Sequence, residues 1–208
     1  MQFRNSTHLD STRLEALFTR HTWPYRHDRL KVHVRPSRGA DFSGSCFYAD
    51  ARIFVNLGPR NRYPYHAGTH LARARSNRTH WWRETYRLLL ADAYQLALFV
   101  YLHELYHHLV KTAGRCPRRK EAMCDRFAAA ALVDHFGARV VDSRGRPVAR
   151  QQWDFQDVHA FVTAAPKTPA TLWDLVEPRA PRPIPVTIVG VRTGTGHRQT
   201  VPGHRRQA

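Results

Sequence analysis

The sequence predicts an α+β fold, in which a short sheet precedes two helices. Apolar and polar residues alternate in short runs between positions 30 and 57, helical periodicity follows between positions 81 and 136, and the chain is long enough to bury one core. At 208 residues, with 42% hydrophobic and 24% charged content, it falls in the globular range and needs no disulfide staples. Residues 1–177 read as a single domain. Residues 178–208 carry arginine, proline and glycine without an acidic side chain and read as a basic tail with at most one strand, at 185–191.

Each element has its own signal. Thr12 and Glu15 stand at capping-box spacing ahead of Leu14, Leu17 and Phe18, so a short helix is expected from about Ser11 to before Pro24. Residues 30–34 alternate as a half-buried strand, and two more strands are expected at 46–48 and 52–57, after a glycine-rich turn at 39–44. Residues 58–80 are rich in Gly, Pro, Asn and Arg and read as an irregular loop. Positions 81–113 carry helical periodicity as one helix or two, stopped by Gly114 and Pro117. A further helix is expected over 118–136, with Gly137 as its cap, then a hairpin around 142–146 and a return of helix within 154–164.

Several function classes are disfavoured. The longest apolar stretch, 88–102, is interrupted by Asp92 and Gln95 and is too short to span a bilayer. The first eight residues lack the apolar segment of a signal peptide, so a cytoplasmic location is expected. Cys46, Cys116 and Cys124 are odd in number and show no C-x-x-C spacing, which predicts reduced core thiols. The formal charge of +17, nearly all of it arginine, favours polyanionic partners or neighbours.

His103-Glu104-Leu105-Tyr106-His107 carries the chemistry. Residues four apart on a helix lie about 40° apart in projection and one turn apart in height, so both imidazoles can reach one metal ion. Glu104, about 100° further round, stays off the metal and is placed to act as general base toward water there. His103 and His107 share an apolar stripe with Leu96, Val100 and Val110, so both should point into the core. On the next helix, Glu121 and Asp125 share a stripe with Ala128, Leu132 and Phe136; carboxylates at that spacing repel, and burying them unpaired costs far more, which a nearby cation would resolve. Zn2+ in a catalytic site takes three protein ligands and a water, so Glu121 can complete the set while Asp125 anchors a ligating ring. Alternatively, the two carboxylates form a solvated acidic turn with Arg118, Arg119 or Arg126.

His103 to His107, followed by Glu121-Ala-Met-Cys-Asp125-Arg-Phe-Ala, resembles the gluzincin metallopeptidases and most the small ImmA/IrrE-type group. The resemblance covers roughly residues 52–136. It implies a zincin-like domain, in which a short sheet packs on the H-E-x-x-H helix and a following helix supplies the third ligand. The ligands would then be His103, His107 and Glu121, with Glu104 as base and Asp125 holding a ligand ring. The implied substrate is a protein or peptide, and some members of the group cleave transcriptional repressors. The step from His107 to Glu121 is shorter than the group usually shows, which leaves Asp125 as an alternative third ligand. Tyr106, His135 and His159 are candidate oxyanion donors, and the strand at 52–57 is expected to be the edge on which a peptide adds.

A second class is open: a nucleic-acid-binding protein with a structural zinc site. Residues 56–82 combine five arginines with Tyr63, Tyr65, Trp81 and Trp82 and no acid, which suits phosphate contact and base stacking, and the tail adds more arginine. A structural site would need four closed ligands and no glutamate base, whereas this motif offers three ligands and one base.

Overall fold

The computed structural model describes residues 1–25 and 29–164, so the expected tail lies outside the described residues. The elements run β1 (Gln2–Asn5), α1 (Ser11–Thr22), β2 (Lys31–Pro36), β3 (Phe42–Phe47), β4 (Arg52–Leu57), β5 (Tyr65–Thr69), β6 (Ala74–Ser76) and β7 (Trp81–Arg83). They continue with β8 (Tyr86–Leu90), α2 (Ala93–Thr112), α3 (Glu121–Phe136), β9 (Arg139–Val141), α4 (Arg150–Trp153) and α5 (Val158–Thr163). The fold class is α+β.

Four strands form the first sheet, in the order β1-β2-β4-β3. β1, β2 and β4 are parallel, and the crossover that a parallel β1–β2 pair requires is supplied by α1. β3 runs antiparallel to β4, with Gly44 opposite Val55. The strand at 52–57 is therefore interior, which corrects its expected place at the edge. That edge belongs to β3. The alternation that predicted β2 is visible in its burial, with Val32 and Val34 inward and Lys31 and Arg35 outward.

Two expectations change between residues 58 and 92. The irregular loop contains β5 and β6, and the first part of the expected long helix is instead β7 and β8. β8 buries Tyr86, Leu88 and Leu90 while Arg87 and Leu89 are half-buried, a two-residue period that three consecutive leucines disguise. It pairs with β5 and β9 in a second, antiparallel sheet, and β6 with β7 forms a separate hairpin. The helix starts only where the Asp92 side chain accepts from the Gln95 N–H.

α2 is the centre of the molecule. Fourteen of its 20 residues are buried, so it is enclosed rather than striped. α3 packs along it, β3 and β4 lie across it, and α1 reaches it through Phe18, which stacks on Tyr101 with centroids 4.2 Å apart. Each fully buried leucine or phenylalanine here contributes about 1.5–3 kcal/mol. α3 begins at Glu121, three residues later than expected, after Arg119 turns the chain at φ 58°, and it ends at Gly137 with φ 64°, the left-handed cap expected of that glycine. Cys46 and Cys124 are buried free thiols. Cys116 is exposed, which corrects its placement in the core. Among the described residues no helix is long and apolar enough to cross a membrane.

Candidate metal centre

His103, Glu104 and His107 sit at mid-length on α2, all essentially inaccessible. The four-residue spacing sets the two imidazoles side by side, with centroids 5.1 Å apart. α3 delivers Glu121 to both. One carboxylate oxygen lies 3.2 Å from His103 Nε2 and the other 3.4 Å from His107 Nε2. Asp125, one turn on, accepts from His103 Nδ1 at 2.8 Å, which turns Nε2 of that ring toward Glu121. Its second oxygen accepts the His70 backbone N–H at 2.6 Å, so both oxygens are engaged, neither of them with the Nε2 atoms that face Glu121. The expected alternative of a solvated acidic turn paired with arginine does not form: Asp125 is 3% exposed and its partners are histidines.

The electrostatics follow from three carboxylates around two imidazoles. Burial lifts the Glu104 carboxyl to about 8, opposed by His103 and reinforced by Glu121 and Asp125. Burial pulls His103 down, but Asp125 and Glu121 outweigh it and raise the ring to about 10. The same contacts hold Asp125 at about 2 and Glu121 well below the usual carboxylate range, in each case against burial. Two ionised carboxylates, Glu121 and Asp125, thus face one protonated ring, which leaves the cluster net negative. His107 Nδ1 and Nε2, and both oxygens of Glu104, are buried without a hydrogen-bond partner. Such orphaned atoms cost about 1–3 kcal/mol each unless something satisfies them. A divalent cation fits both facts, taking nitrogen and oxygen donors from His103, His107 and Glu121.

Cys124 is a donor that sequence reasoning left in the core. Its sulfur and the ligand nitrogens of His103 and His107 lie within 4.8 Å of one another. Burial, and then Glu121, Asp125 and Glu104, push its thiol well up in the absence of a cation, whereas a bound cation would deprotonate it, so Cys124 stands beside Glu121 as a candidate donor.

β3 closes the other side. A Cβ on Gly44 would collide with the Oε1, Cγ and Cδ atoms of Glu104, so only glycine lets the strand approach the carboxylate this closely. Among the described residues the outer edge of β3 is unpaired. Two of the expected oxyanion candidates have their polar atoms engaged elsewhere: Tyr106 donates to the Val158 carbonyl and His159 Nδ1 meets the Tyr25 hydroxyl. The third, His135, packs against His21. His70 and Tyr48 are nearer. The His70 Nδ1 lies 3.3 Å from Asp125 Oδ2, and the Tyr48 hydroxyl, raised chiefly by burial, also feels Cys46, Glu104, Cys124 and Glu121. Neither could be found from spacing, since His70 lies in the stretch without period and Tyr48 in a turn.

This chain matches no protein-family model, no curated protein and no solved structure.

Proposed function

We propose that this chain is a zinc-dependent metallopeptidase that hydrolyses peptide bonds of a protein or peptide substrate. The observation that carries the reading is the convergence of His103, His107 and Glu121 beside Glu104, a buried carboxyl with no hydrogen-bond partner. A closed structural site would have no use for such a group. The H-E-x-x-H helix, the sheet lying across it and the adjoining glutamate helix also support a zincin-like fold and the gluzincin resemblance, with the ImmA/IrrE-type group as its nearest form. Two buried free thiols suit a reducing compartment such as the cytoplasm.

Zinc held by this set supplies a Lewis acid that lowers the pKa of water and polarises a carbonyl. Glu104 takes the proton of the attacking water on a carboxylate oxygen and passes it to the leaving amine. Asp125 keeps the His103 ring in the tautomer that leaves Nε2 free for the metal. The substrate runs as an added strand along the free edge of β3, where Gly44 brings its backbone over Glu104.

The test has two readouts. Metal analysis should find about one zinc per chain, and His103→Ala or His107→Ala should abolish it and lower the melting temperature, because the native state alone binds the ion. Glu104→Gln should keep zinc and fold while cleavage of a degenerate peptide library falls by orders of magnitude. Full zinc occupancy in both histidine variants, or an active Glu104→Gln protein, would overturn the reading.

A further inference from the structure

On the flank of α3 away from the metal centre, an open cleft of about 440 Å³ lies between the root of the β6–β7 hairpin and the first turns of α3. Arg73, Arg83, Arg119, Lys120 and Arg126 line it together with Phe155, and among the described residues the lining has no carboxylate. None of the five cations forms an ion pair among the described residues, although Arg13, Arg52, Arg75, Arg146 and Arg150 elsewhere all do.

The wall is built, not merely coated with arginine. Arg126 is 4% exposed and fixed by donating from Nε to the Trp153 carbonyl and from Nη1 to Gln156 Oε1. Its guanidinium sits 4.0 Å from the centroid of Phe155, and that of Arg73 sits 3.8 Å from the same centroid. Two like charges are thus held on one ring, at a Coulomb cost that an anion bound in the cleft would offset. Arg83 Nε is buried without a hydrogen-bond partner.

The cleft is also joined to the metal centre. Arg83 Nη1 donates to the His70 carbonyl, His70 N–H donates to Asp125, and Asp125 holds His103. Lys120 and Ala122, which border the cleft, flank Glu121 in the chain.

The geometry points to this cleft as the subsite that receives an acidic side chain of the peptide substrate. The inference rests on the peptidase reading of the neighbouring centre. A carboxylate is favoured over a nucleotide as the occupant: the cleft is linked to the metal centre through Arg83, His70 and Asp125, and the Phe155 ring is covered by guanidinium instead of offering a face to a base. An arginine-lined cleft recognises a planar carboxylate through paired N–H donors, which supplies selectivity along with attraction.

The test uses the full-length zinc-loaded Glu104→Gln protein, so that binding is read without turnover. Fluorescein-labelled peptides with a glutamate moved along an otherwise neutral sequence are compared, by anisotropy, with their glutamine counterparts. Glutamate at one position is expected to tighten binding about tenfold, and Arg119→Gln with Lys120→Gln, or Arg73→Gln alone, should remove that gain while glutamine peptides bind as before. These three positions are not in the metal centre, and unchanged zinc content and melting temperature verify the fold. Equal binding of glutamate and glutamine peptides at every position, or no peptide binding at all, would overturn the subsite. So would loss, in the cleft variants, of affinity for a single-stranded oligonucleotide and not for the peptide. Selective binding of acidic peptides by a wild-type protein that cleaves none of them would leave the subsite standing and remove the peptidase reading.

Discussion

A methyl group at position 44 would occupy the space of the Glu104 carboxylate. Gly44→Ala is therefore expected to push the base aside without touching a ligand. Cleavage should fall about 100-fold, the usual cost of a misplaced catalytic group, while zinc content is unchanged. Full activity in this variant would show that Glu104 is not the base. The ligands can be ranked in the same way. Glu121→Gln should surrender zinc to a chelator most readily, because this carboxylate faces both Nε2 atoms. Asp125→Asn should weaken affinity by about 10- to 100-fold, as expected of a group that only orients a ring, and Cys124→Ser should leave it unchanged. If Asp125→Asn proves the more damaging, the third ligand is Asp125; if Cys124→Ser does, it is the thiol.

Among the elements, the packing of α1 against the end of α3 carries a pH signature. The His21 ring lies 5.1 Å from that of His135, and burial, followed by the charges of His135 and Arg20, lowers it from 6.5 to about 4. As pH falls below 6.5 the unfolded chain takes up this proton and the folded one does not, so stability is lost down to about 4 and levels off below. His21→Phe should lose less melting temperature across that window than the wild type. Acid release of a cation held by His103 and His107 would be common to both proteins and would cancel in the comparison. Elements were legible in the sequence where one signal dominated a segment: β2 alternates, β4 is dense in β-branched and aromatic residues, α3 ends on its glycine, and His103, Glu104 and His107 stand at helical spacing. β8 was hidden because Leu88, Leu89 and Leu90 satisfy either period, and β1 because Phe3 is its one apolar residue. At the metal centre, Glu121 and Asp125 could be read from their four-residue spacing. Gly44, His70 and Cys124 could not, since their importance comes from contacts between distant segments that no local pattern records.

For the molecule as a whole, a formal charge of +17 and the exposure of Trp81 (74%) and Trp82 (45%) on a hairpin that also carries Arg75 and Arg78 predict weak, sequence-independent binding of nucleic acid. A mobility-shift titration should show affinity falling steeply with salt, by about 0.7–0.9 in log-log slope per phosphate contact. Arg75→Ala with Arg78→Ala should flatten that slope while zinc content stays constant. No shift at low salt would remove this partner and leave the metal centre untouched. The free edge of β3 has one more consequence, for solubility at high concentration. A strand with unpaired N–H and C=O groups that welcomes a peptide also welcomes the same strand of another copy, the first step toward cross-β aggregation. β3 answers this with brevity and with Ser43, Gly44 and Ser45 at its middle, residues that build no dry apolar interface. Gly44, which admits the Glu104 carboxylate, is also one of the residues that keep the exposed edge from self-association.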